Sequence, residues 1–253
     1  AVGAGNWLVS AALQKQLRRE ISVVWAGTPL RRALDGLSQT QRVAVLIDRR
    51  VDPDQKVDLK LDDDPLVAAM HDVARSRDLG VSIVNAVAYF GPPRVTGKIR
   101  TIAALRTEEV RRLPPAVTRK FLLPGRIAWD DFATPGELLQ RLADENRLTL
   151  QGLDRVPHDL WAGADLPPLP LVERLTLIAI QFDLTFEVSP DGQTMRLVPM
   201  PDEVALVRSY PGGSNPQATA KNYAEHLPGT KVKVAGRQVH VKGLLEDHER
   251  ITT

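Results

Sequence analysis

Residues 28–48, TPLRRALDGLSQTQRVAVLID, set the architecture of this 253-residue chain, because a matching stretch returns at residues 134–154 as TPGELLQRLADENRLTLQGLD. In both stretches Thr-Pro opens a run of apolar residues at the spacing of one helix face. A short apolar segment and the pair Asp-Arg follow each run, at a constant offset of 106 residues. Since Thr can cap a helix and Pro suits its first position, each stretch predicts a capped helix followed by a strand.

The correspondence continues downstream after the loss of one residue. Pro65-Leu66-Val67 matches Pro170-Leu171-Val172, and each opens a second helical pattern. Asp78-Leu79 matches Asp183-Leu184, and strand-like residues follow both pairs. Because the matches occur in one order, duplication explains them better than chance, and it predicts two βαββαββ units.

The middle strand distinguishes the two copies. In the first copy Val57-Asp58-Leu59-Lys60-Leu61 alternates between apolar and polar residues, as a strand with one wet face does. In the second copy Pro157-His158-Asp159-Leu160-Trp161 and the proline-rich residues 166–170 replace it. Residues 166–170 run straight into a helix, which favours a structural lead-in over a polyproline ligand. We therefore expect the main difference between the copies at residues 156–169.

Pattern and charge together divide the chain into five segments. They are an N-terminal amphipathic helix in residues 1–20, a first βαββαββ unit in 21–93, a basic helical connector in 94–126, a second βαββαββ unit in 127–201 and a shorter βαββα unit in 202–253. The predicted fold class is α+β, with small mixed or antiparallel sheets. Each unit is of a size at which a single core is marginal, so we expect the units to pack on one another or on neighbouring chains.

The first unit resembles the secretin and TonB-dependent receptor N-terminal (STN) domain. The resemblance lies in Thr28-Pro29-Leu30 with its leucine-rich helix, Val45-Leu46-Ile47-Asp48, Val57-Asp58-Leu59-Lys60-Leu61, Pro65-Leu66-Val67-Ala68-Ala69-Met70 and Leu79-Gly80-Val81. The last unit, which ends in Val239-His240-Val241-Lys242-Gly243-Leu244, is similar to the short repeated periplasmic domains of secretins. The resemblance implies two STN-like units in tandem, a partial secretin-like domain and a non-enzymatic interaction module in the periplasm or envelope. No charged-then-apolar signal pattern opens the sequence, and we expect no secretin barrel within these residues, so the resemblance implies no channel activity.

Composition excludes several classes of site. The chain has no cysteine, which removes disulfides, thiolate nucleophiles and cysteine metal sites. No two of its five histidines are four residues apart, and acidic clusters at predicted helix starts are explained by the helix dipole, so we predict no metal and no cofactor. No apolar stretch is long enough to span a membrane.

The familiar catalytic motifs are also missing. No Gly-x-Ser-x-Gly occurs, and Gly212-Gly213-Ser214-Asn215 is typical of a turn that caps a helix. Thr96-Gly97-Lys98 lacks the first glycine and the final hydroxyl of a phosphate loop, and Gly3-Ala4-Gly5 lacks a third glycine and a preceding strand. We predict no catalytic residue and no small-molecule substrate. A hydrolase remains an alternative, supported only if His158 were grouped with Asp154 and Asp159 beside a nucleophile.

Charge is distributed unevenly along a chain whose formal net charge is only +2. Residues 94–126 contain nine basic and two acidic residues, whereas residues 127–201 contain five basic and twelve acidic ones. The candidate anion-binding or partner-binding residues are Arg100, Arg106, Arg111, Arg112, Arg119, Lys120 and Arg126.

The connector admits two interpretations. Either it is a solvated helix docked on the first unit, with Arg106 on its apolar face and Arg100 and Arg111 pointing away, or it is a surface for nucleic acid, lipid headgroups or an acidic protein. We expect internal pairing with acids such as Asp130, Asp131, Glu137 or Asp144. It should include Arg106 and at least two of Arg111, Arg112, Arg119, Lys120 and Arg126.

Trp161 is the one candidate partner anchor, because Trp is enriched at binding hot spots. The competing interpretation, which we favour, is that Trp161 covers the small core of its own unit. The sequence as a whole predicts a non-enzymatic scaffold that docks protein partners or self-associates through sheet edges and surfaces between units. The alternative is a nucleic-acid- or polyanion-binding module that uses the connector.

Overall fold

The computed structural model describes residues 6–252, and its elements confirm the α+β class. The N-terminal helix is shorter than residues 1–20, and residues 1–5, with the Gly3-Ala4-Gly5 motif, lie outside the described part. The first elements are α1 (Ser10–Leu17), β1 (Glu20–Pro29), α2 (Leu30–Gln41), β2 (Ala44–Ile47), β3 (Lys56–Pro65), α3 (Leu66–Arg75), β4 (Gly80–Val84) and β5 (Val87–Gly91). We keep the name first unit for residues 21–93.

The connector, residues 94–126, is mostly helical. It contains most of α4 (Pro93–Thr96), then α5 (Ile99–Arg111), α6 (Pro115–Leu122) and the start of β6 (Pro124–Trp129). The second unit, residues 127–201, follows with α7 (Pro135–Glu145), β7 (Thr149–Gln151), a 3₁₀ turn (Leu153–Arg155), β8 (Ala164–Pro170), α8 (Leu171–Ala179), a 3₁₀ turn (Ile180–Phe182), β9 (Leu184–Val188) and β10 (Thr194–Pro199).

The third unit, from residue 202 onward, has one three-stranded antiparallel sheet and two helices. Its elements are β11 (Leu206–Pro211), α9 (Pro216–His226), β12 (Lys231–Ala235), β13 (Gln238–Gly243) and α10 (Leu245–Thr252). The strand order is β11-β13-β12, so β12 is an edge strand. No helix within residues 6–252 combines the length and the apolar character needed to cross a membrane.

Strand pairing follows one scheme in the first and second units. In the first, β1 and β3 form an antiparallel ribbon, and a separate sheet has the order β2-β5-β4. In the second, β6 and β8 form the ribbon, and the sheet has the order β7-β10-β9. The first strand of each sheet runs parallel to the central one, and the last runs antiparallel.

Two details of the sequence interpretation are corrected. The middle strand of the second unit is present, because the proline-rich residues form β8 themselves. A ribbon strand with a single neighbour tolerates prolines, since its free edge needs no donor. The two Thr-Pro pairs also differ: Thr134 caps α7 by accepting from the Glu137 amide at 3.3 Å, whereas Thr28 lies within β1 and caps nothing.

The β2-β5-β4 sheet of the first unit separates two apolar cores. Ala88 and Phe90 point to a core shared with α1, α2 and α3. Leu46, Val87 and Tyr89 point to the opposite side, where they join the core of the second unit. Burial on both sides explains why every residue of β5 is buried and why its sequence shows no alternation.

Helix α5 lies at the centre of the molecule. It packs against β4 of the first unit, α8 and β9 of the second, and β11 and α10 of the third. Ile99, Ile102 and Val110 are buried, and Thr101 accepts a hydrogen bond from the Leu245 amide at 2.9 Å. The interpretation of the connector as a solvated helix docked on the first unit is therefore incomplete, because α5 also contacts the second and third units.

Candidate interaction surfaces

The basic residues of α5 mainly hold the units together. Arg100 does not point to solvent: it pairs with Glu246 at 3.3 Å and with Glu249, both on α10. Arg106 donates to Glu109 of its own helix at 2.7 Å and to the Phe186 carbonyl of β9, also at 2.7 Å. The latter bond satisfies a backbone acceptor on the edge of the second sheet. These two arginines are structural, since their terminal guanidinium nitrogens already bind groups of the protein, although Nε of Arg106 is buried without a hydrogen-bond partner within the described residues.

The five remaining candidate residues of the connector divide into two groups. Arg126 pairs with Asp165 at 3.3 Å, and Lys120 donates to the Gly192 carbonyl at 3.3 Å. The others are exposed and form no ion pair with any residue in the range 6–252; they are Arg111, Arg112 and Arg119. The internal pairing that we expected is therefore wrong in extent: Arg106 finds its acid on α5 itself, and only one of the other five basic residues pairs with an acid.

An ionic cluster around the buried Asp48 connects the first unit to the second. Asp48 is fully buried at the end of β2 and accepts from Arg50, at 2.8 Å from Nε and 2.6 Å from Nη2, and from the Tyr89 hydroxyl. Arg50 also reaches Asp183 of the second unit at 2.8 Å. Arg94 binds both oxygens of Asp183 at 2.9 and 2.8 Å, and its hydrogen bonds hold the pKa of that carboxyl below its usual range. The two guanidinium groups and the two carboxylates bind one another. We therefore interpret the cluster as a connection between the units rather than as a ligand-binding site.

Trp161 is buried, with 7% of its surface exposed. Its ring stacks on Phe182 at 6.0 Å and lies 5.9 Å from Trp129. The side chain covers the core of its own unit, as the favoured interpretation predicted, and it is not presented to a partner. The structure therefore does not support the interpretation of Trp161 as a docking anchor.

The exposed aromatic residue nearby is Phe132. Its side chain is 76% exposed and its backbone has a φ of 69°, a left-handed conformation that is strained for a bulky residue. A hydrogen bond of 2.8 Å from the Phe132 amide to the Trp161 carbonyl holds this geometry. Leu160, the residue before Trp161, is also 56% exposed. The sequence analysis did not single out Phe132, because a lone apolar residue after Asp130-Asp131 belongs to no helix or strand pattern.

Two clefts adjoin the Phe132 loop, residues 130–133. One, of about 800 Å³, is lined by Phe132, Trp129 and several acids and arginines of the second unit. The other, of about 960 Å³, lies between α2 and β2 of the first unit and residues 159–166 of the second. Arg49 and Asp159 form an ion pair of 2.6 Å across the second cleft. Trp7 donates to the Asp165 carbonyl at 2.8 Å beside it. The loop therefore borders open space on two sides.

The groups required for catalysis are scattered. His158 is exposed and forms no hydrogen bond within the described residues, while Asp159 is held by Arg49 and Trp161. Ser209 contacts His240 at 2.7 Å, but on an exposed sheet face where Lys233 is the register neighbour of His240. His248 is buried between the Tyr210 hydroxyl, at 2.8 Å, and the Leu206 carbonyl, at 3.1 Å. No group of three His, Cys, Asp or Glu residues in the range 6–252 is arranged to hold a metal.

The comparisons with known proteins identify no relative. No protein-family model matches the chain, and no curated protein matches it.

Proposed function

We propose that this protein is a non-enzymatic docking scaffold of the periplasm or cell envelope, built from tandem units that resemble STN domains. Phe132 carries the proposal. An aromatic side chain that stays exposed adds little to the stability of the fold, and strained backbone conformations cluster at functional sites. Exposed aromatic residues are also enriched at protein interfaces.

The joint between the units supports the same conclusion. The cluster of Asp48, Arg50, Asp183 and Arg94 and the central helix α5 fix the units in one arrangement. A fixed arrangement keeps the Phe132 loop and its two clefts preformed, which lowers the entropic cost of docking. The STN resemblance supplies the compartment and the class of partner, namely other envelope proteins or further copies of this chain.

Site-specific photo-crosslinking in the cells that naturally make the protein tests the proposal. A photoreactive residue at Leu160 should give one crosslinked product of defined mass, and Phe132→Ala should reduce its yield. Leu123→Ala is the matched control, because Leu123 is another exposed apolar residue, at 63% exposure, outside both clefts. Protease accessibility in spheroplasts should place the protein outside the inner membrane. Equal yields from the two variants, or a cytosolic location, would contradict the proposal.

A polyanion-binding function is the second candidate, and the exposed arginines Arg111, Arg112 and Arg119 favour it. Each phosphate contact that such a surface makes adds to the salt dependence of binding. Duplex DNA and anionic vesicles should be titrated at low and at physiological salt, with charge reversal of Arg111 and Arg112 as the comparison. Tight, salt-sensitive binding that is lost on reversal would favour this candidate over the scaffold.

A further inference from the structure

The third unit has a sheet that is open on one side. Edge strand β12 has β13 as its neighbour on one side, and no strand within residues 6–252 lies on its other side. Helix α9, which covers the sheet, contains no buried residue. Val234 of β12 faces this helix and is still 37% exposed. The core between α9 and the sheet is therefore incomplete at the β12 edge.

The register identifies which backbone groups of β12 are free. Ala235 and Gln238 close a two-residue turn, so they exchange hydrogen bonds with each other. Because hydrogen-bonded and non-bonded pairs alternate in antiparallel strands, the amides and carbonyls of Lys231 and Lys233 also point to β13. The amides and carbonyls of Val232 and Val234 therefore point outward, and no hydrogen bond to them is formed within residues 6–252.

The outer face of the same sheet is basic. Lys231 lies directly opposite Lys242 and Lys233 directly opposite His240. Like charges in register repel each other, and Glu203 relieves the first pair by accepting from Lys231 at 2.8 Å and Lys242 at 2.9 Å. These two lysines lower the pKa of Glu203 to about 2. Lys233 forms no ion pair within the described residues, so the face keeps an excess of positive charge.

Glu203 shows which ligand chemistry this face accepts, because two lysines already hold a carboxylate there. We propose that β12 is a docking edge for an extended acidic segment of a partner protein, which adds a fourth strand beside it. The outward backbone groups of Val232 and Val234 pair with the incoming strand. Its acidic side chains lie beside Lys231 and Lys233, and its alternate apolar side chains close the core under α9.

An extended peptide fits these features better than a nucleic acid or a membrane does. Neither of those ligands supplies the alternating backbone donors and acceptors that a strand edge requires. Among the described residues, no Phe, Tyr or Trp lies on the lysine-bearing face for stacking of bases, and its one ring, His240, contacts Ser209. The inference rests on the proposed docking function, and it names one edge and the chemistry of its partner.

The test uses the whole chain and a blocked synthetic peptide of alternating glutamate and valine, about seven residues long to span the strand. Binding should be followed by amide chemical shifts and by fluorescence anisotropy of the labelled peptide. We expect shifts concentrated in β12. The same peptide with lysine in place of glutamate should not bind.

Val234→Pro is the decisive variant, because it removes an outward donor and leaves the bonds to β13 intact. It should weaken peptide binding about tenfold or more. Lys233→Glu should do the same, whereas Lys15→Glu, which makes an equal charge change on α1, should have no effect. Circular dichroism will show whether Val234→Pro still folds. If it does not, the effect of Lys233→Glu on affinity and the location of the chemical-shift changes test the inference instead.

Three other outcomes would each contradict the inference. Unchanged affinity of a folded Val234→Pro variant would indicate non-specific attraction of anions. Stronger binding of duplex DNA or of phosphatidylglycerol vesicles by the same lysines would indicate a polyanion surface. Absence of binding would remove β12 as the edge, while the crosslinking test at Leu160 would still decide whether the protein docks through the Phe132 loop.

Discussion

At the boundary between the first and second units, Arg50 donates hydrogen bonds to both carboxylate oxygens of Asp48, from Nε at 2.8 Å and from Nη2 at 2.6 Å. Asp48 has no exposed side-chain surface, so its charge is compensated by this guanidinium and by the hydroxyl of Tyr89. Because Arg50 also binds Asp183, the pair joins the two units as well as neutralising a buried charge.

Removal of Asp48 should destabilise the whole protein. Asp48→Ala leaves the partly buried Arg50 without its main partner, and the expected loss is about 3 kcal/mol in the free energy of unfolding. Asp154→Ala is the matched control, because Asp154 is the counterpart of Asp48 in the repeat but is exposed and forms no ion pair within the described residues. It should change stability by less than about 0.5 kcal/mol. Urea unfolding measures both, and similar values for the two variants would contradict the assignment.

The two Thr-Pro pairs provide a second matched comparison. Thr134→Ala removes the cap of α7 and should cost about 1 kcal/mol. Thr28→Ala, at the corresponding point of the first unit, should cost much less because Thr28 caps no helix. Thermal or urea unfolding of the two variants measures the difference. An equal loss would mean that both threonines cap in solution.

Gly192 should be intolerant of a side chain. It has a φ of 68°, and a Cβ there would overlap the side chain of Val117 on α6. Gly192→Ala combines backbone strain with a steric clash and should cost about 2–4 kcal/mol. Gly236→Ala is the control: its φ is 60°, but no atom lies within 4 Å of the added Cβ. It should therefore cost only about 1 kcal/mol, measured by the same unfolding assay.

The stability contributed by Glu173 should depend on pH. Burial raises the pKa of this carboxyl, and the hydrogen bond from Asn85 offsets the rise only in part. Folding therefore disfavours the ionised form, and stability falls as the pH rises from the unfolded pKa to the folded one. Glu173→Gln should be more stable than the parent chain at pH 7, and the advantage should disappear at pH 3. A constant difference across this range would exclude the titration of Glu173 as its cause.

The sequence predicted the order of elements better than the way they pack. Local patterns of apolar residues and turn residues are sufficient to locate the helices around Leu34 and Leu139 and the β9–β10 hairpin. Strand β8 was not predicted, because prolines are unfavourable in a strand that has a neighbour on each side. The sequence pattern does not reveal that β8 has a single neighbouring strand.

The candidate site depended on contacts that are distant in the sequence. The partners of Arg100 lie on α10, 146 and 149 residues away, so no local spacing could separate a structural arginine from a ligand-binding one. The exposure of Phe132 and the burial of Trp161 likewise depend on a tertiary hydrogen bond between their segments. Trp161 therefore lies inside, in line with the favoured interpretation, while Phe132, which the sequence analysis did not single out, lies outside.

The sheet with two buried faces also has a consequence for biosynthesis. Leu46, Val87 and Tyr89 share a core with residues that follow them in the chain, as far as Val204. Since the ribosome releases the N-terminal part first, the first unit emerges with this apolar face bare. For roughly a hundred residues of further translation, at about 5–20 residues per second, that face is available to chaperones or to aggregation. Translation speed through the connector and the second unit therefore sets how long the nascent chain remains at risk.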